Sequence, residues 1–98
     1  MTIEKKAEGS KLTLNITGRL DTSTAPQLEE VITNEITNVQ DLVLDFATLD
    51  YVSSAGLRVI LKAQKKMNTV GSMKIVNVNE SIMEVFNITG FDSILTIE

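Results

Sequence analysis

From Lys11 to Thr17 the chain alternates, with Leu12, Leu14 and Ile16 apolar and Lys11, Thr13, Asn15 and Thr17 polar. A period of two predicts a strand with one buried face. A shorter strand over about residues 2–7 is placed to pair with it antiparallel across Glu8-Gly9-Ser10. After Gly18 the period changes. Thr22, Ser23 and Thr24 precede Pro26, a helix-start pattern with Ser23 or Thr24 as the cap. Ala25, Leu28, Ile32 and Ile36 then recur at helical spacing. Leu42-Val43-Leu44-Asp45-Phe46 is a nearly unbroken apolar run, which predicts a strand buried on both faces. A second helix is predicted over about residues 54–68. Leu57, Ile60, Leu61, Gln64 and Met67 form its inner stripe, and Arg58, Lys62, Lys65 and Lys66 lie off it. Gly71 closes this helix by entering the left-handed conformation. Residues 73–78 form a further core strand, a short helix capped by Asn79 or Ser81 runs to Gly90, and residues 94–97 make a last strand.

Strands that alternate with helices imply an α/β domain. The expected architecture is one domain over residues 1–98, with a mostly parallel five-stranded sheet, an antiparallel edge strand and helices packed over it. Consecutive strands are expected to be neighbours. One proline and five glycines punctuate elements and build no linker, and no internal repeat is visible.

Composition narrows the function. Nine Lys and Arg against thirteen Asp and Glu leave a net charge of −4, which argues against direct nucleic-acid binding. The chain has no His and no Cys, which removes imidazole bases, thiol nucleophiles, zinc–thiolate sites and disulfides. No metal or cofactor is expected, and neither a phosphate-binding P-loop nor a dinucleotide fingerprint is present. The apolar runs are too short to cross a bilayer, and residues 1–6 do not resemble a signal peptide. The expectation is a cytoplasmic binding or regulatory module with no membrane partner, and not an enzyme.

Parallel strands end on one edge, where ligands and partners of such folds meet the loops. Two loops there enter helices and offer hydroxyls and carboxylates beside free N–H groups. One runs from Gly18 to Thr24 and holds Asp21, Thr22 and Ser23. The other runs from Ala47 to Ser54 and holds Asp50, Tyr51, Ser53 and Ser54. On pattern alone a serine in Val52-Ser53-Ser54-Ala55-Gly56-Leu57 reads as a helix cap, or as an exposed hydroxyl with little bulk around it that accepts a phosphoryl group. Without His, a serine hydrolase lacks its usual base. Asp21 reads as a cap, an exposed loop carboxylate or part of a partner site. Asp45, at the end of an apolar strand, allows a receiver-like phosphorelay reading, but no early acidic pair or late Lys accompanies it.

Nearly the whole chain resembles the STAS domain, in particular bacterial anti-sigma factor antagonists. The resemblance rests on Ile16-Thr17-Gly18-Arg19-Leu20-Asp21 followed by Thr24-Ala25 and Leu28, on Leu42–Phe46, and on Tyr51-Val52-Ser53-Ser54-Ala55-Gly56-Leu57-Arg58-Val59-Ile60-Leu61. The resemblance implies that the unmodified protein binds an anti-sigma factor that is a serine kinase and frees the sigma factor. It implies further that phosphorylation of Ser54 ends binding and that a serine phosphatase resets the switch. Sporulation members carry Asp where this chain has Ser53, so Ser53 is the second choice of acceptor. Partner contacts are expected at Asp21, Thr22, Ser23, Ser53, Ser54, Gly56 and Arg58. The alternative within the family is a docking subunit of another assembly, such as a stressosome or a lipid transporter.

Overall fold

The hairpin expected at the start of the chain is formed by β1 (Thr2–Glu8) and β2 (Lys11–Leu20), with Glu8 opposite Lys11. The computed structural model describes all 98 residues, Met1 to Glu98. Next come α1 (Ala25–Glu35), a 3-10 turn at Ile36–Asn38, β3 (Asp41–Val52), α2 (Ser54–Val70), β4 (Ser72–Val76), α3 (Glu80–Thr89) and a 3-10 turn at Phe91–Ser93. The strands lie in chain order. β1 is the antiparallel edge, and β2, β3 and β4 run parallel. Its exposed Glu4, Lys5, Lys6 and Glu8 put charge on that edge, which discourages pairing with another chain.

The sheet has four strands, not the expected five, and is mixed, with two parallel pairings and the antiparallel edge at β1. The last apolar segment reaches β4 only through a single parallel bridge between Ile75 and Ile97. Its hydrogen bonds run from Ile75 N–H to the Thr96 carbonyl and from Glu98 N–H to the Ile75 carbonyl. Ile94 is the reason. It caps the second 3-10 turn in helical geometry, and its N–H bonds back to Phe91, so half of the apolar run is spent in a turn.

A single core cluster unites Leu12, Leu14 and Ile16 of β2, Leu42, Leu44 and Phe46 of β3, and Met73 and Ile75 of β4 with residues of all three helices. The helices bury that face and leave the other polar, with Thr13, Asn15, Asp45 and Lys74 half-buried. The expectation that Leu42–Phe46 is buried on both faces holds at Val43 and not at Asp45, which is half-buried. Val43 is buried but stands outside the core cluster. Polar strand neighbours Lys11, Asp41, Ser72 and Lys74 line a shallow depression around it.

Gly71 does close α2, but not in the left-handed region, for its φ is 174°. Close approach is what requires glycine. A Cβ there would lie 1.9 Å from the Gln40 carbonyl oxygen, which accepts the Ser72 N–H and starts β4 beside β3.

Candidate functional site

The two loops expected to carry chemistry leave the sheet side by side. β3 runs on past Phe46 to Val52, so most of the second loop is strand, and Leu20 pairs with Val52 at the end of the ladder. The Ser53 N–H extends the ladder by one bond, to the Leu20 carbonyl at 2.8 Å. α1 and α2 thus begin from adjacent points on one rim.

At the α1 start, Asp21 is the hub. Its Oδ1 accepts the Ser23 hydroxyl at 2.8 Å, the Ser23 N–H at 3.0 Å and the Thr24 N–H at 3.2 Å. The Ser23 hydroxyl bond, aided by these amide bonds, holds the Asp21 carboxyl below its ordinary range, with partial desolvation opposing. Thr24 is the cap residue by position, yet its side chain does not bond into the helix. It donates instead to the Arg19 carbonyl at 2.8 Å and accepts the Asp21 N–H at 2.8 Å. Thr22 and Ser23 are exposed.

At the α2 start the roles of the two serines separate. Ser53 has the extended backbone of a cap residue, and its Oγ accepts the Gly56 N–H at 3.4 Å. Ser54 is the first helical residue, and its side chain is exposed and outside the cap. Ala55 and Gly56 add no bulk. Gly56 itself lies under the rim rather than on it, because it is buried against Leu20. A Cβ at Gly56 would sit 2.7 Å from Leu20 Cγ and 3.0 Å from the Leu20 carbonyl oxygen. Glycine there lets the α2 start rest on the end of β2 and keeps the two loops together. Arg58 is exposed one turn after Ser54, and none of the chain's ion pairs engages it.

Two residues join the rim that reasoning from the sequence left out of the site. The Arg19 guanidinium stacks 4.4 Å from the centre of the Tyr51 ring, and its Nε lies 3.7 Å from Asp21 Oδ2. Tyr51 remains 41% exposed. The result is an aromatic and cationic patch at the ends of β2 and β3, of the composition that favours protein contacts.

Asp45 is not at the rim. It lies mid-strand, and its Oδ1 accepts the Ala47 N–H at 2.9 Å and the Asn77 side-chain amide at 3.0 Å. A receiver needs its acceptor carboxylate at a strand end, and Asp45 does not occupy one.

The family profile described as the STAS domain matches residues 2–98. The chain belongs to the STAS-domain family. Within reach of this STAS chain is BtrV of Bordetella bronchiseptica, provisionally described as an anti-sigma factor antagonist. The two are 37% identical over 82 residues, which span 82% of this chain and 71% of BtrV. The anti-sigma-B factor antagonist of Bacillus subtilis is 29% identical over 96 residues, spanning 97% of this chain and 88% of that protein. Among solved structures, the Bacillus anti-sigma factor antagonist SpoIIAA in its phosphorylated form superposes with a TM-score of 0.78 at 18% identity, covering 99% of this chain and 91% of SpoIIAA. At that identity the likeness speaks for the fold. No helix is long and apolar enough to cross a membrane.

Proposed function

We propose that this STAS domain is an anti-sigma factor antagonist, which binds an anti-sigma factor serine kinase through the rim and is switched off by phosphorylation of Ser54. The observation that carries the reading is the exposed Ser54 hydroxyl on the first residue of α2, beside a Ser53 whose oxygen is used in the cap. The descriptions of the two relatives support the partner class. The phosphorylated form of SpoIIAA supports a phosphoryl switch on this fold.

In the unmodified state Arg19, Asp21, Thr22, Ser23, Tyr51, Ser54 and Arg58 meet the anti-sigma factor, and the sigma factor is released to RNA polymerase. Gly56 acts from beneath. The kinase then transfers the γ-phosphoryl group of ATP. A bond forms between Ser54 Oγ and the γ-phosphorus, the bond to the β,γ-bridging oxygen breaks, ADP departs, and the hydroxyl proton passes to a base of the kinase. The new group brings about −1.5 to −2 charges at neutral pH. Locally the helix dipole favours that charge by about 0.3–1 kcal/mol, so the fold survives. Across the interface, like-charge juxtaposition costs several kcal/mol. The second effect is larger, so the partner leaves while the domain stays folded. A serine phosphatase reverses the step.

The test is incubation with an anti-sigma factor kinase and ATP, phosphosite mapping, and partner binding before and after. Phosphate on Ser54 with loss of binding supports the reading. Binding indifferent to Ser54 points to the docking role in another assembly and overturns it.

A further inference from the structure

Ser54, Arg58 and Lys62 lie at successive four-residue steps of α2, so their side chains share one stripe of its surface. Lys62 is engaged with Glu29 of α1. Arg58 is exposed and engaged with no carboxylate. A cation one turn from an exposed hydroxyl has nothing to pair with until that hydroxyl carries an anion. We propose that Arg58 is the built-in counter-ion of phosphorylated Ser54. The inference rests on the reading of Ser54 as the acceptor and adds a second action to it.

The geometry is favourable in two ways. The anion is on the N-terminal side and the cation four residues later, the better order for a helical ion pair. A guanidinium also presents a planar fork that two phosphate oxygens match. Pairing has a consequence for the partner. In the unmodified protein Arg58 is free to meet an acidic group of the anti-sigma factor. Once Ser54 is phosphorylated, Arg58 is drawn onto the chain's own phosphate. The modification therefore adds a negative charge to the rim and withdraws a positive one. Lys62, a turn further on and already held by Glu29, does not replace it.

The experiment uses the full chain with phosphoserine incorporated at position 54 during translation, so that no kinase is involved. Phosphorus NMR follows the second ionisation of the phosphate with pH. An adjacent cation favours the dianion, so the wild-type pKa should lie below that of Arg58→Ala by on the order of 0.5 pH unit. Arg58→Lys should restore part of the shift, and Lys62→Ala should leave it intact. Equal pKa values for wild type and Arg58→Ala would overturn the pairing. Circular dichroism on each variant confirms the fold, which an exposed side chain does not support. The readout is separable from the proposed function. Failure of a kinase to modify Ser54 defeats that function and leaves this measurement standing, whereas a missing shift defeats only the role of Arg58.

Discussion

α1 and α2 start from neighbouring strands, yet their hydroxyls meet opposite fates. At α1 the Ser23 and Thr24 oxygens are consumed in a closed set of bonds around Asp21 and the Arg19 carbonyl. At α2 one serine makes a single long cap bond and the next stands clear. A hydroxyl that already donates to a carboxylate of its own chain must give up that bond before it can donate to the kinase's base. A free one need not. The same residue types at the same edge of the sheet thus build a fixed loop on one side and an open acceptor on the other.

The largest effect expected from this contrast is on binding. Phosphorylation of Ser54 should weaken the anti-sigma factor by about 100-fold or more, since each 1.4 kcal/mol of a penalty of several is tenfold. Calorimetric titration of the modified and unmodified chains measures it. Ser54→Ala should bind as the unmodified protein does and accept no phosphate, and Ser54→Asp should bind weakly. Phosphate mapped to Ser23 instead would break the comparison at its root.

Gly56→Ala should give the largest loss of stability. The added methyl meets both the Leu20 side chain and its carbonyl oxygen, a clash worth roughly 1–3 kcal/mol. Thermal denaturation should show a drop of roughly 4–8 °C for each kcal/mol in a domain of this size. Leu20→Ala relieves the side-chain part of the clash, so the double variant should lose less than the sum of the single ones. Strict additivity would mean that the α2 start does not rest on β2 in the way described.

Ser53→Ala should cost less, about 0.5–1 kcal/mol, because the cap bond is long. It should leave phosphate incorporation at Ser54 unchanged in peptide mapping. A loss of incorporation would show that the two serines do not divide the roles of cap and acceptor.

Much of this was readable in advance. Alternation in β2, the helical spacing from Ala25 to Ile36 and the inner stripe of α2 are strong because each follows from burial of one face. Residues 94–97 misled because hydropathy cannot distinguish an apolar strand from an apolar turn. Leu42–Phe46 was legible in part, for Val43 is buried, but among polar strand neighbours and outside the core cluster, which hydropathy does not reveal. The two-serine motif was visible, but the division of labour depends on the extended backbone at Ser53, which identity alone does not set. Arg19 on Tyr51 was not visible at all. Their pairing depends on two one-residue shifts in the β2–β3 register, at Asn15/Thr17 and at Gly18/Arg19.

The smallest effect concerns pH, and it should appear on the α1 side alone. The Asp21 carboxyl is held below its ordinary value of 3.8, first by the Ser23 hydroxyl and then by the Ser23 and Thr24 bonds, so the folded state binds its proton less readily than the unfolded one. Its stabilising contribution is therefore complete above the unfolded value. It is lost as pH falls from about 4 through the depressed value, where the unfolded chain takes up more protons. Denaturant unfolding at a series of pH values should show stability falling with acid in that window. Asp21→Asn should flatten that part of the profile, because the amide still accepts one bond but carries no charge to lose. Ser53→Ala should lower the whole profile and leave its slope alone, since no carboxylate holds the α2 cap. An Asp21→Asn profile as steep as the wild type would show that the loop before α1 is held by its backbone and hydroxyls, with the carboxylate a bystander, and the two helix starts would then be more alike than their hydrogen bonds suggest.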